Sequence, residues 1–572
     1  MKFLIKKIYI ILLLLTIFLI EQEVLARDSK ILYTRENVSN YFSGIVSINK
    51  NSNKEALGYL EKVKLLKNTH SKFNIEFIRT LVLLEKFKKA FSFSQSVWNE
   101  NELFFETDLL LGLNSFINKD YKNAEKHFER LSKVSKYDIF FSDIISNVLI
   151  AWNKASQGNM EDSFMYLEKI PNSYLQFTKT QNSFLKCYSD SKGTQNIFKE
   201  IIEDKNYNFS RYNFFLANYL LFKNQDTEAI KIIKDGRERY SANILLKETE
   251  NFLLKGKKEK IKSFFNCKNP NDSLAEFFYV IANLYSTEEE YQLSNFYLKI
   301  SLFLNKKFLT NKALLAENFY YQKKYQTSKD IYKSLKSIGS AYSWYASKSI
   351  ATILLNEKGK KYSINSLEKE FNSLSNPNFK HYYELANFYK DNEYYEQSIK
   401  YYTLTLEKIK KDHSLVPKIL DRRGTSYERM GDWENAEKDL IESLKILPDQ
   451  AHVLNYLAYS WIDKGINLDK GLEMLKKANK IRGDDGYIID SLGWAYYAKE
   501  NYVEAEKFLQ RAVELLPFDP IINDHYADTL WMLNKNIQAR HVWNNILKID
   551  ETEQKLRDSI SKKLIFGITE KL

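Results

Sequence analysis

Between residues 486 and 519, small, large and helix-stopping residues alternate in helical register. Leu492, Gly493 and Tyr496 are followed by Tyr502, Ala505, Leu509 and Ala512, and Pro517 closes the series. The same spacing appears as Gly424, Tyr427, Trp433, Ala436, Leu440 and Pro448. Apolar residues three and four apart predict one face of an α-helix, and two such runs separated by a short polar turn predict a helix pair. The series recurs about every 34 residues, a period that predicts a solenoid of helix pairs rather than a globular enzyme domain.

Each position has a physical task. The eighth (Gly424, Ala458, Gly493, Ala527) is small because the first helix crosses its neighbour closely there. The twentieth (Ala436, Ala505, Ala539) is small for the same reason on the second helix. Aromatic and aliphatic residues between them fill the space between helices. Pro448 and Pro517 disfavour the helical conformation of the preceding residue and mark the stop between repeats. Carried toward the N-terminus, the register places repeat starts near Asn37, Ser71, Phe105, Ile144, Ser210, Ala275, Leu309, Phe379, Pro417, Ala451, Gly486 and Pro520. Ala56, Ala90 and Ala124 hold the twentieth position in turn, and Ala217 with Ala229, Ala282 with Ser294, and Ala316 with Ser328 keep the gap between the two small positions. Residues 172–209, 244–274 and 338–378 have the helical period without the full pattern and read as degenerate repeats.

These residues make the chain similar to the tetratricopeptide repeat family, most strongly over 37–138 and 379–550. The resemblance implies an all-α fold, a right-handed α-solenoid superhelix of about 12–14 helix-turn-helix repeats. It divides the chain into a leader at 1–26, divergent repeats at 27–378, well-formed repeats at 379–553 and a capping helix at 554–572. In this family the first helix of each repeat lines an inner groove. The resemblance therefore implies a partner-binding groove containing Tyr383, Asn387, Asp421, Thr425, Asn455, Tyr459, Tyr487, Asp490, Trp494, Asp524, Asp528 and Trp531, with Lys390, Glu428, His452, Asp463 and Tyr497 beside them. The family's clamp for a peptide carboxylate is incomplete. Asn387 matches one place, Arg422 stands where an asparagine is expected, Tyr383 replaces a lysine, and His452 and Tyr456 replace the last basic pair. What remains is acidic and aromatic toward its C-terminal end, and would suit an extended or helical peptide with basic and apolar side chains. For Trp494 and Trp531 the alternative is packing against adjacent helices.

Composition agrees with long helices: 7 prolines and 17 glycines in 572 residues disfavour the turn-rich sandwiches and barrels. Aromatics are abundant, but those the register places (Tyr427, Trp433, Tyr496, Tyr502) fall on packing positions, so inter-helix filling explains them better than base stacking. The net charge of +12 arises from 85 basic and 73 acidic residues that are interspersed, as in Glu125 with Lys126 and Glu129 with Arg130. That is the pattern of solvated faces with local ion pairs, and nucleic acid is not an expected partner.

Lys2, Lys6 and Lys7, the apolar run at 8–20, and Val24 and Ala26 ahead of Arg27 predict an export signal and a bacterial periplasmic destination. The alternative is an inner-membrane anchor formed by residues 8–20, a run short of the ~20 residues a spanning helix needs unless its flanks contribute. Cys187 and Cys267 are expected in different repeats as two isolated buried thiols rather than a bridge. No phosphate loop, Cys-x-x-Cys, His-Glu-x-x-His or Gly-x-Ser-x-Gly motif occurs. Asn523, Asp524, His525 and Asp528 form the one local cluster with ligand chemistry. His525 points about 100° away from the two aspartates on a helix, so a polar groove is the better reading and no metal or cofactor is expected. Leu556, Ile560, Leu564 and Ile565 predict a last helix that caps the stack, with peripheral membrane contact through its lysines as the alternative. The sequence thus predicts no enzyme but an exported scaffold that binds proteins or peptides in its groove, during envelope assembly or secretion. A membrane-tethered assembly factor and an accessory to a cell-wall enzyme are the alternatives.

Overall fold

The computed structural model describes residues 33–134 and 139–568; the expected leader at 1–26, with its apolar run, lies outside the described residues. Among the described residues there are 31 α-helices and three short 3-10 turns, and no strand. The chain is an α-solenoid. Fifteen helix pairs follow one another and a single helix, Gln554–Phe566, ends the series. Helices begin at or within a few residues of every expected start, among them Ser71–Leu83, Phe105–Ile117, Ala451–Asp463 and Pro520–Met532. The count exceeds the expected range by one because the degenerate stretches also form pairs: Leu175–Tyr188 with Thr194–Glu203, Ile244–Leu254 with Lys258–Phe264, and Ser340–Lys358 with Lys360–Asn372.

The small positions explain why the pairs close. A Cβ on Gly493 would stand 2.6 Å from Leu509 Cγ, and one on Gly112 would stand 2.4 Å from the Phe128 ring. Ala436, Ala505 and Ala539 are wholly buried. Where serine replaces this alanine, its hydroxyl is satisfied locally: Ser294 donates to the Ala282 carbonyl at 2.7 Å and Ser328 to that of Ala316 at 2.8 Å. Ser363 donates to Ala351 in the same way at 2.6 Å, which sets the register of a stretch that lacks the full pattern. The turn inside a pair also repeats. A residue with positive φ (Lys119, Gly431, Glu500) precedes Asp120, Asp432 or Asn501, whose side chain caps the second helix.

The helices form two compact units, one ending at Ser363 and the other starting at Ile364. The first turns back on itself. Phe87 stacks on Phe303 with ring centroids 4.0 Å apart, Lys299 reaches Glu85 at 2.6 Å, and Gln292 Nε2 donates to the Ile48 carbonyl at 3.2 Å. This curvature corrects the expectation for the cysteines: Cys187 and Cys267 are not isolated thiols but form a disulfide, with Cα atoms 5.9 Å apart. An open ladder of repeats would separate them. Instead the short pair Ile244–Leu254 and Lys258–Phe264 returns the chain to the end of Leu175–Tyr188. There Phe265 packs 5.4 Å from Phe184 and Lys268 Nζ donates to the Tyr188 carbonyl at 2.8 Å.

The second unit contains the pairs from Phe379–Asp391 to Asn536–Ile546 and the last helix. Its core is a succession of small clusters, each shared by neighbouring pairs; one joins Ala458, Ile462, Leu475, Leu492 and Leu509. Each repeat thus buries its apolar face against the next, and the last pair needs a cover. Ile560 of Gln554–Phe566 supplies it, wholly buried beside Ala539, Trp543 and Ile546.

Candidate functional site

The first helices of the second unit carry the twelve candidate groove residues, and hydrogen bonds between successive first helices decide which of them stay open. Asn387 Oδ1 accepts from Arg422 Nη1 at 2.9 Å and from the Tyr402 hydroxyl at 2.8 Å. Asp421 pairs with His452 Nε2 at 2.9 Å, and Glu428 accepts from the Tyr456 hydroxyl at 2.7 Å. Asp490 pairs with His525 Nδ1 at 2.9 Å. Asp524 and Asp528 hold Lys563 between them at 2.9 and 2.7 Å, and both accept from Trp543 Nε1, at 3.1 and 3.2 Å. The last helix therefore takes the place of one more inner helix, and Lys563 does for the final repeat what His525 does for the one before.

This lateral pairing sorts the candidates. Asp490, Trp494, Asp524 and Asp528 are buried, at 6, 7, 9 and 7 % exposure. Trp494 lies between rings, stacked 4.5 Å from Tyr497 and 4.0 Å from His525. Trp531 is half-buried, 5.5 Å from Trp543, with the Arg540 guanidinium 4.9 Å from its ring. Tyr383, Asn387, Asp421, Thr425, Asn455 and Tyr459 are half-buried and reach solvent, and Tyr487 is 58 % exposed. The accessible strip therefore runs over the first three pairs of the unit and the start of the fourth. Three of the acidic groups that gave the C-terminal end its apparent preference for basic peptides, Asp490, Asp524 and Asp528, are matched within the chain.

Electrostatics follow from the packing. Burial first, and the Asp524 charge second, push Asp528 up to about 7 against the pull of Lys563. Burial is also the largest influence on His525 and works against its proton, but Asp490, with Asp524 and Asp528, outweighs it and the imidazole is raised. Lys563 is raised because the two aspartates overcome its desolvation. In the open strip the opposite holds for Lys390. Its burial and then the Arg422 guanidinium lower it, against the opposing pull of the Asp391 and Asp421 carboxylates, with neither of which it forms a salt bridge. Further along the strip, on Ala451–Asp463, Asn455 Oδ1 is buried without a hydrogen-bond partner. Two adjacent cationic groups, a free amide oxygen and the half-open rings of Tyr383 and Tyr459 make a strip able to hold a polar segment carrying a carboxylate.

Sequence reasoning missed Lys563 and His525 as inner-face residues. The signal was present in the last helix: Leu556, Ile560 and Leu564 have the spacing of a packed face, and Lys563 lies beside it. Among the described residues no group of three or more His, Cys, Asp or Glu side chains is placed to hold a metal ion. None of the described helices is long and apolar enough to cross a membrane.

No known family profile matches the chain. It is 33 % identical over 99 residues to a TPR repeat-containing protein of Pseudomonas aeruginosa; the match spans 17 % of this chain and 17 % of that protein's length. Among solved structures, a tetratricopeptide repeat protein from Parabacteroides merdae is similar over 39 % of this chain and 88 % of its own, with 19 % identity and a TM-score of 0.33. The Cut9–Hcn1 hetero-tetramer of the APC/C is similar over 86 % of this chain and 89 % of its own, with 13 % identity and a TM-score of 0.34.

Proposed function

We propose that this chain, a tetratricopeptide-repeat protein, is an exported scaffold that holds a segment of a partner protein along the inner face of residues 379–487. The observation that carries the reading is the half-buried Lys390 ammonium in that face, which acts beside Arg422 and, with Asp391 and Asp421 as its nearest acidic influences, forms no salt bridge. A lysine that is half-buried and unpaired bears a desolvation cost that an incoming carboxylate would offset. The segment that suits the strip is extended, with a carboxylate over Lys390 and Arg422 and an apolar side chain further along against Tyr459. Export to a bacterial envelope, and service in its assembly or in secretion, is supported by the charged, apolar and small-residue order before Arg27. The Cys187–Cys267 bridge supports it too, because disulfides persist in oxidising compartments.

The test is photocrosslinking in cells. A photoreactive phenylalanine at Tyr383, Tyr459 or Tyr487 should give the same partner adduct, and Lys390→Glu with Arg422→Glu should abolish it. Control positions on second helices, Val503 and Ile537, are 69 and 86 % exposed and should give none. Adducts from the control positions alone would sink the reading. Fractionation of the same cells, with the mass of the recovered chain, checks export and the cut before Arg27.

A further inference from the structure

The first unit contains a hollow that the inner face of the second does not resemble. It has a volume of about 440 Å³ and opens where first helices of successive pairs converge, among them Leu175–Tyr188, Pro270–Thr287, Lys312–Tyr321 and Ser340–Lys358. That volume falls within the range of small-ligand sites. Its floor carries a neutralised ion pair. Arg211 Nε and Nη2 donate to the two Glu276 oxygens at 2.7 and 2.8 Å, and Nη2 also donates to Asn311 Oδ1 at 2.6 Å. The Tyr279 ring lies against this guanidinium, 4.0 Å from centroid to carbon.

Glu317 is the odd member. Its carboxylate accepts the Tyr345 hydroxyl, and no cation acts on it: burial, which raises it, and the Tyr345 hydrogen bond are its only influences. No lysine or histidine lines the hollow, and Arg211 is committed to Glu276. With Glu317 ionised the wall bears one net negative charge, inside a chain whose overall charge is +12. Carboxylates buried in proteins are normally paired, and an ionised one accepts up to about four hydrogen bonds, of which Glu317 receives one. Aromatic rings beside an uncompensated carboxylate are the environment that holds an organic cation, through a charge-assisted hydrogen bond and ring-face attraction together.

We infer that this hollow binds an organic cation, a guanidinium or ammonium group, which donates to Glu317 and lies against Tyr279 and Tyr345. The cation could be an arginine or lysine side chain of a partner or a free polyamine, and the shared chemistry is what the site recognises. The inference is independent of the inner face of residues 379–487.

Calorimetric titration of the whole chain tests it with four probes: capped arginine, its neutral isostere capped citrulline, the capped tripeptide Ala-Arg-Ala, and spermidine. Saturable binding of a cationic probe, with citrulline silent, is the expected result. Binding of capped arginine and the tripeptide indicates a partner side chain, and binding of spermidine alone indicates a free polyamine. Glu317→Gln keeps the shape and removes the charge, and should weaken binding by about tenfold or more. If that variant loses its helical signal, Asn283→Lys serves instead. Asn283 is an exposed residue lining the hollow, where a tethered ammonium would compete for Glu317, and it should weaken binding to a similar degree. No saturable binding of any cation, equal binding of arginine and citrulline, or an unchanged affinity in the folded variants would overturn the proposal.

Discussion

At Asp528 the cost of burying a carboxylate decides which protonation state the fold prefers. Held up to about 7 by burial and by Asp524, it keeps in the folded chain a proton that the unfolded chain sheds near about 4. Between those values the folded state binds more protons, so stability falls as pH rises. His525 acts in the same direction. Its folded value is raised, so its contribution is present in full below the unfolded value and is lost as pH rises through the folded one. The second unit should therefore unfold at higher denaturant at pH 6 than at pH 8, and Asp528→Asn should flatten that difference. Lys563→Met sharpens the argument. It leaves two buried aspartates without their ammonium, and should cost about 3 kcal/mol at pH 8 but much less at pH 5, where a proton replaces the lost charge. Denaturant titrations at the two pH values check both variants. Equal losses at both would mean that Lys563 contributes packing rather than charge. Gly493→Ala is a steric counterpart: its Cβ would enter the space of Leu509 and should cost about 1–3 kcal/mol at either pH.

At the scale of the element, the last helix is the part most exposed to loss. Gln554–Phe566 covers Trp543 and Ile546 through Ile560, and supplies Lys563 to Asp524 and Asp528. Ending the chain at Glu553 should leave residues 520–546 exchanging their amide protons as a locally unfolded segment, while 379–446 keep their protection, because each repeat depends mainly on its neighbours. Hydrogen exchange with mass spectrometry reads this directly; uniform loss across 379–546 would show a single cooperative unit instead. Much of this layout was legible from the sequence, since Gly493 with Ala505 and Gly424 with Ala436 state which helices touch and where. Ala351 with Ser363 repeats the gap that Ala282 keeps with Ser294, and was obscured because residues 338–378 lack the rest of the pattern around it. The lateral partners were not legible. Position in the repeat says that Asp490 and Asp524 face inward, but whether a histidine or lysine of the next element reaches them depends on the rise between repeats. The 34-residue period does not encode that rise.

Across the first unit the same limit produces the largest consequence. Repeats considered as a ladder keep Cys187 and Cys267 apart, whereas curvature accumulated over the intervening pairs brings their Cα atoms to 5.9 Å. Curvature is a sum of small rotations, each set by side-chain sizes at a pair junction, and so is a property of many residues with no local signature. The bridge closes a loop with a sequence separation of 80, which restricts the unfolded chain far more than the folded one. On the chain-entropy account it should contribute about 4 kcal/mol to the first unit, a large share of the stability of a typical domain. Cys187→Ser and Cys267→Ser, singly or together, should lower the unfolding midpoint of that unit by the same amount as reduction of the natural chain. They should also raise amide exchange in 175–188 and 258–269 first, where the bridge is anchored. If the native chain, unfolded without reductant, took up two alkyl groups, the bridge would be absent and the ladder expectation would stand. If it took up none, the fold would be matched to an oxidising compartment, since a chain kept reduced in a cytosol would forgo the restriction that its own curvature makes available.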